Sequence, residues 1–179
     1  MESTDAIDPQ LLDLGLFLIR LVFGLVLAAH GAQKLFGWFG GYGLAGTGGF
    51  MESLGFRPGK TFATAAGLGE FVGGLLFALG FLGPVGPALM LSVMLVASIT
   101  VHRKNGLFAA NNGIELPLLN ATAAVGIALT GPGRYSLDET FGYYKLLTPT
   151  ATWIILAIGV IGAFANLAMR RTAASSPRV

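Results

Sequence analysis

Three basic side chains, Arg20, His30 and Lys34, stand inside one long apolar stretch, LLDLGLFLIRLVFGLVLAAHGAQKLFGW (residues 11–38). At about 100° per residue, Arg20, Gly24, Leu27, Gly31 and Lys34 form one stripe of a helix, with His30 about 80° away from Arg20. A cation within a bilayer is costly and turns to the bundle interior or to a watered cavity. The charged stripe therefore faces inward, and the Leu, Val and Phe residues face lipid. Glu70 stands about ten residues into a later apolar run, roughly 15 Å deep and near the bilayer midplane. His102 closes a third run and Glu115 opens a fourth. Arg20, His30, Lys34, Glu70, His102 and Glu115 are the candidate ligand-binding residues.

These residue types suit a pocket for the polar head of an apolar molecule, with quinone the leading choice. Quinone carbonyls need hydrogen-bond donors, and quinone reduction needs protons that buried His and Glu can supply. Two histidines also raise a b-type haem, which needs two axial ligands at one depth on facing helices. His30 is five or six residues inside its helix and His102 at the end of its own, which argues against haem. No Glu-x-x-His motif is present for a carboxylate metal site. A purely structural reading also stands: Glu70 and Glu115 neutralise Lys34 and Arg20, Lys34 snorkels to the headgroups, and Glu115 is a solvated helix start. Glu70 and Arg20 both approach the midplane, so they are expected to share one polar cluster with His30 nearby.

The elements that must position these groups are membrane helices. Of 179 residues, 54% are hydrophobic and 11% charged, and the mean hydropathy is +0.71, which places the chain outside the soluble globular range. The fold class is all-α, a polytopic transmembrane helical bundle. Residues 1–10 form a short extracytoplasmic leader, 11–131 a four-helix core, 132–148 an interfacial connection, 149–169 an appended fifth transmembrane helix and 170–179 a cytoplasmic tail. The core spans run over about 11–36, 61–82, 88–102 and 114–130. Between the first two lies the connection 37–60, whose first half reads as glycine-rich and irregular, while Phe50, Met51 and Leu54 lay one short apolar face on the membrane surface. Gly41, Gly43 and Gly46 match a dinucleotide-binding spacing, but they follow a membrane span instead of a strand, so the match is accidental. Gly69 and Gly73, with Gly67 and Gly74 beside them, allow close helix approach. Ser136 and Glu139 have capping-box spacing, and Phe141, Tyr143 and Tyr144 suit an interfacial belt.

Eight of the eleven Lys and Arg fall at one set of span ends, only Arg134 and Lys145 at the other, and Arg20 lies within a span. The positive-inside rule then puts the N-terminus outside and the C-terminus in the cytoplasm of a bacterial plasma membrane. The leader carries no Lys or Arg before Arg20, unlike a cleaved signal peptide. The net charge of +2 and the placement of the basic residues beside spans exclude nucleic acid and leave membrane lipid as the partner. With no cysteine, thiol chemistry and Cys-ligated clusters are excluded.

Several spaced segments, IRLVFGLVLAAHGAQKLFGW (19–38), GLGEFVGG around Glu70, the helix-end His102, Glu115-Leu-Pro and TGPGRYSLD (130–138), together resemble the DoxX family over residues 12–138. The resemblance implies a four-helix bundle of bacterial plasma membranes associated with redox complexes. Its members include small membrane subunits of thiosulfate:quinone oxidoreductase and a membrane assembly with superoxide dismutase and a thiosulfate sulfurtransferase. The fifth helix departs from that pattern. The expected function is a quinone-linked subunit of such a complex, with quinone as ligand, no covalently bound cofactor and soluble redox enzymes as partners. The rivals are a non-catalytic membrane scaffold or anchor and a small-solute or proton pathway.

Overall fold

A computed structural model describes residues 8–143 and 148–171, all helix and connection. Its elements are α1 (Pro9–Phe36), α2 (Gly43–Ser53), α3 (Gly59–Leu79), α4 (Val85–Ala97), α5 (Glu115–Thr130), α6 (Leu137–Phe141) and α7 (Pro149–Ala168). The leader's residues 1–7, Tyr144 and Lys145 of the connection, and the tail beyond Arg171 lie outside the described residues.

Helix α1 starts where the Asp8 carboxylate accepts from the Gln10 N–H at 2.9 Å and Pro9 occupies the first turn. It stops at Gly37, whose φ of 73° lies in the left-handed region that glycine adopts without strain. Its buried residues are Arg20, Gly24, Leu27 and Gly31, which lie on the inward stripe expected from the spacing, together with Ala28 and Ala32; Lys34 at the end of the stripe keeps some exposure.

Glycine sets the packing of α3. A Cβ on Gly24 would lie 2.6 Å from the Ala78 nitrogen and the Gly74 oxygen, and one on Gly74 would lie 2.5 Å from the Ala28 nitrogen. The backbones of α1 and α3 therefore touch, with Gly67 also against Leu35. On its other side α3 turns Gly69 and Gly73 to Val93 and Leu89 of α4. One helix thus offers two glycine seams to two neighbours, which in lipid is the main route to close packing. Leu27, Phe77, Met90, Met94, Ala124 and Ile127 fill the core between α1, α3, α4 and α5, and Leu156 of α7 joins Ala88 and Ala128.

The helices run alternately between two ends. Arg171 N–H donates to the Gly55 carbonyl at 2.8 Å, so α7 finishes beside the turn into α3, near the end of α1. Asp138 N–H donates to the Gly80 carbonyl at 3.0 Å, so the segment after α5 meets the end of α3, near the start of α1. Among the described residues, four helices are long and apolar enough to cross a membrane: α1, α3, α4 with its extension to Asn105, and α7. At 16 residues, or about 24 Å, α5 falls short of a 30 Å core, yet it connects the same two ends. Leu14, Leu18, Val22 and Leu25 of α1 and Ile154, Ile158, Ile161 and Phe164 of α7 point outward, as lipid-facing residues do.

Two local expectations change. The first half of the 37–60 connection is irregular only as far as Tyr42, because Gly43–Ser53 forms α2. Its glycines let it sit close on α3, where a Cβ on Gly48 would lie 3.2 Å from the Lys60 nitrogen. The second span ends at Leu79, three residues early, at Gly80 with a φ of 61°. The short helix after Ser136 forms as read, with the Ser136 hydroxyl accepting from Glu139 N–H at 3.2 Å.

Candidate functional site

Lys34 lies in the last turn of α1 and Glu70 halfway along α3, and because the two helices are antiparallel they meet across the seam. Lys34 Nζ donates to Glu70 Oε2, and their side chains are 26% and 8% exposed. This is the one ion pair among the described residues. A buried carboxylate stays affordable only with such a partner.

His30 lies one turn before Lys34. Its Nδ1 is 3.1 Å from Gln33 Oε1, and Gln33 Nε2 donates to the Phe39 carbonyl at 3.2 Å. His102 comes from the far end of α4, where the helix widens into a π turn over Ser98–His102. Such turns re-aim side chains, often at functional sites. His102 Nδ1 is 2.9 Å from the Asn112 carbonyl, which also accepts from Asn105 Nδ2 at 3.1 Å.

Between these groups is a cavity of about 490 Å³, lined by His30, Lys34, Glu70, His102, Asn120 and Asn166 and by a larger set of apolar and small residues. The volume is that of a pocket for a small organic molecule. Phe50, Met51 and Leu54, read from the sequence as a membrane-surface face, line its wall instead. Depth along each helix separates the two histidines, but the π turn and the loop at Asn112 bring both to one cavity. Among the described residues no three His, Asp or Glu side chains gather as a metal-binding group.

Arg20 and Glu115 are not in the lining. Arg20 is fully buried toward the opposite end, where it donates to the Ala78 carbonyl at 3.3 Å and to the Tyr135 carbonyl. Gly80 packs against the guanidinium, and Asp138, also fully buried, is the carboxylate whose charge acts on it. Asp138 in turn accepts from Leu82 N–H at 2.9 Å and Gly83 N–H at 2.6 Å. The shared Arg20–Glu70 cluster expected from the sequence does not form. Fourteen residues separate Arg20 from Lys34, about 21 Å of helix, so α3 answers the first with Ala78 and the second with Glu70. Glu115 closes the 109–115 loop by accepting from Ala109 N–H at 2.7 Å. The sequence reading missed Asp138, although the Ser136 cap beside it marked a fixed turn, and it missed Asn166, which only tertiary packing brings to the cavity.

The arrangement combines a Lys–Glu pair, two imidazoles and an apolar wall at one end of a membrane bundle. Arg20, His30, Lys34, Glu70 and His102 all fall within residues 15–103, the part that matches the model of the DoxX family. No curated protein and no solved structure matches the chain. With its DoxX segment and its four membrane-length helices, the chain belongs to the DoxX family of membrane proteins.

Proposed function

We propose that the cavity binds the polar head of an apolar membrane molecule of the quinone class, and that the chain serves as a membrane subunit of a bacterial redox complex. The observation that carries this reading is the Lys34–Glu70 pair set in the wall of a largely apolar cavity. Such a pocket takes an apolar body and fixes one polar end. Lys34 donates to a carbonyl oxygen, and Glu70, His30 and His102 carry protons. Reduction of a quinone to a hydroquinone takes up two electrons and two protons. The chain's part is to hold the ring and exchange protons with it, while electrons pass between it and a soluble redox partner at the same membrane face.

The distribution of charge supports the orientation. Among the described residues, Lys34, Arg57, Lys60, Arg103, Lys104, Arg170 and Arg171 gather at the histidine end, against Arg134 at the other, so the histidine end faces the cytoplasm of the plasma membrane and the N-terminus lies outside. One observation favours the rival anchor reading: Lys34 and Glu70 satisfy each other without any ligand.

Purification of the tagged chain in mild detergent, with its associated proteins and extracted lipids identified, tests the proposal. Quinone and a redox enzyme should co-purify, and the quinone should be lost from Glu70→Gln. Recovery of partners with no quinone above the bulk-lipid level would leave the anchor reading in front.

A further inference from the structure

Both cavity histidines are held in one tautomer by groups that can only accept. The Asn112 carbonyl is such a group, so His102 must place its proton on Nδ1 to make the 2.9 Å contact. For His30 the logic has one more step. The Phe39 carbonyl requires the amide nitrogen of Gln33, which turns Oε1 toward His30 and requires the proton on its Nδ1. With Nδ1 engaged, the ring nitrogen left for a ligand is Nε2, and in the neutral imidazole it carries a lone pair. Neither Nε2 has a protein partner among the described residues.

Resting on the quinone-class reading above, we infer that this site recognises the hydroxyl-bearing, reduced form of its ligand, a hydroquinone or similar phenol, with Gln33 as the positioning residue that keeps His30 an acceptor. A quinone carbonyl only accepts, so it is served by Lys34 and leaves both imidazole lone pairs unmet. A phenolic hydroxyl does both: it donates to Nε2 and accepts from the Lys34 ammonium. Once a ligand covers the cavity, an imidazole acceptor that it leaves unpaired disfavours the oxidised form. The side-chain amides of Asn120 and Asn166 serve either polarity and do not discriminate.

Two measurements on the full chain in nanodiscs test this. In ¹⁵N-histidine NMR of the neutral rings, both His30 and His102 should show the Nδ1–H tautomer. In Gln33→Leu, His30 alone should lose its single tautomer, which a merely structural role for Gln33 would not bring about. Binding of 2-decylhydroquinone should exceed that of its di-O-methyl ether, which keeps ring and tail but has no O–H, by roughly tenfold, and the ratio should shrink in Gln33→Leu. Equal binding of the two compounds, or an Nε2–H tautomer in the wild type, overturns this inference and leaves the cavity reading standing. Binding of neither compound overturns the cavity reading and this inference with it. A Soret band from co-purified haem would assign Nε2 to iron and overturn the hydroxyl assignment.

Discussion

Lys34 of α1 and Glu70 of α3 are hydrogen-bonded across a seam of touching backbones, and together they put a charge pair in the wall of an otherwise mainly apolar cavity. Lys34 keeps some exposure while Glu70 is nearly buried. The two are therefore unequal: Lys34 has an outlet toward the headgroups, and Glu70 has none.

That inequality predicts the outcome of single and double substitutions. Lys34→Met leaves a buried, unpaired carboxylate and should cost about 3 kcal/mol or more, whereas Glu70→Gln should cost clearly less. The Lys34→Met/Glu70→Leu double variant should recover most of the loss, because no orphan charge remains. Thermal unfolding in detergent of the wild type and the three variants measures this. Ligand binding should be lost in all three variants, including the folded Glu70→Gln.

Arg20 and Asp138 should behave as structural groups. Arg20→Leu removes the partner of the Ala78 and Tyr135 carbonyls, and Asp138→Ala frees the Leu82 and Gly83 N–H groups. Each should lower stability by about 1–3 kcal/mol. In protein that remains folded at low temperature, affinity for the cavity ligand should stay within about twofold of the wild type, less than a single lost hydrogen bond. A titration below the midpoint of unfolding separates the two effects.

Glycines at two sites should respond in opposite ways to enlargement. Gly24→Val drives a side chain into the α3 backbone, a clash that neither helix can relieve without separating, so the bundle should fail to assemble. At Gly162, which lines the cavity, a new Cβ meets no atom within 4 Å. Gly162→Leu should fold with wild-type monodispersity in size-exclusion chromatography and lose ligand binding, because its side chain takes up cavity volume.

The topology is open to labelling, since the chain has no cysteine of its own. Single cysteines at Asn111 and Glu139, both exposed and at opposite ends of α5, should react from opposite sides of the membrane, with Asn111 on the cytoplasmic side. Labelling from one side only would mean that α5 does not cross.

Local periodicity carried much of this molecule. The inward stripe of α1 follows from residue spacing because a helix in lipid must hide its charges, and the close packing of α3 follows from its glycines, although their spacing did not say that Gly74 would meet the α1 backbone and Gly69 and Gly73 the side chains of α4. Pairing across helices was less legible. Arg20 and Glu70 both read as near the midplane, but depth counted along one helix does not say which residue of its antiparallel neighbour lies opposite. Asp138 was hidden for a similar reason, since a surface-type sequence, SLDET, folds inward to cap the turn after α3. The joint cavity position of His30 and His102 rests on a π turn and on Asn112 at a φ of 59°, and neither has a signature in hydrophobic pattern.

The most direct measurement is photocrosslinking with an azido-ubiquinone in native membranes, with the labelled peptides mapped by mass spectrometry. If the cavity is the quinone-class site, label should concentrate on segments 27–34, 62–70, 89–102 and 116–120, should be competed by unlabelled ligand, and should fall away in Gly162→Leu. Label confined to the lipid-facing residues of α1 and α7, with no competition, would contradict the account.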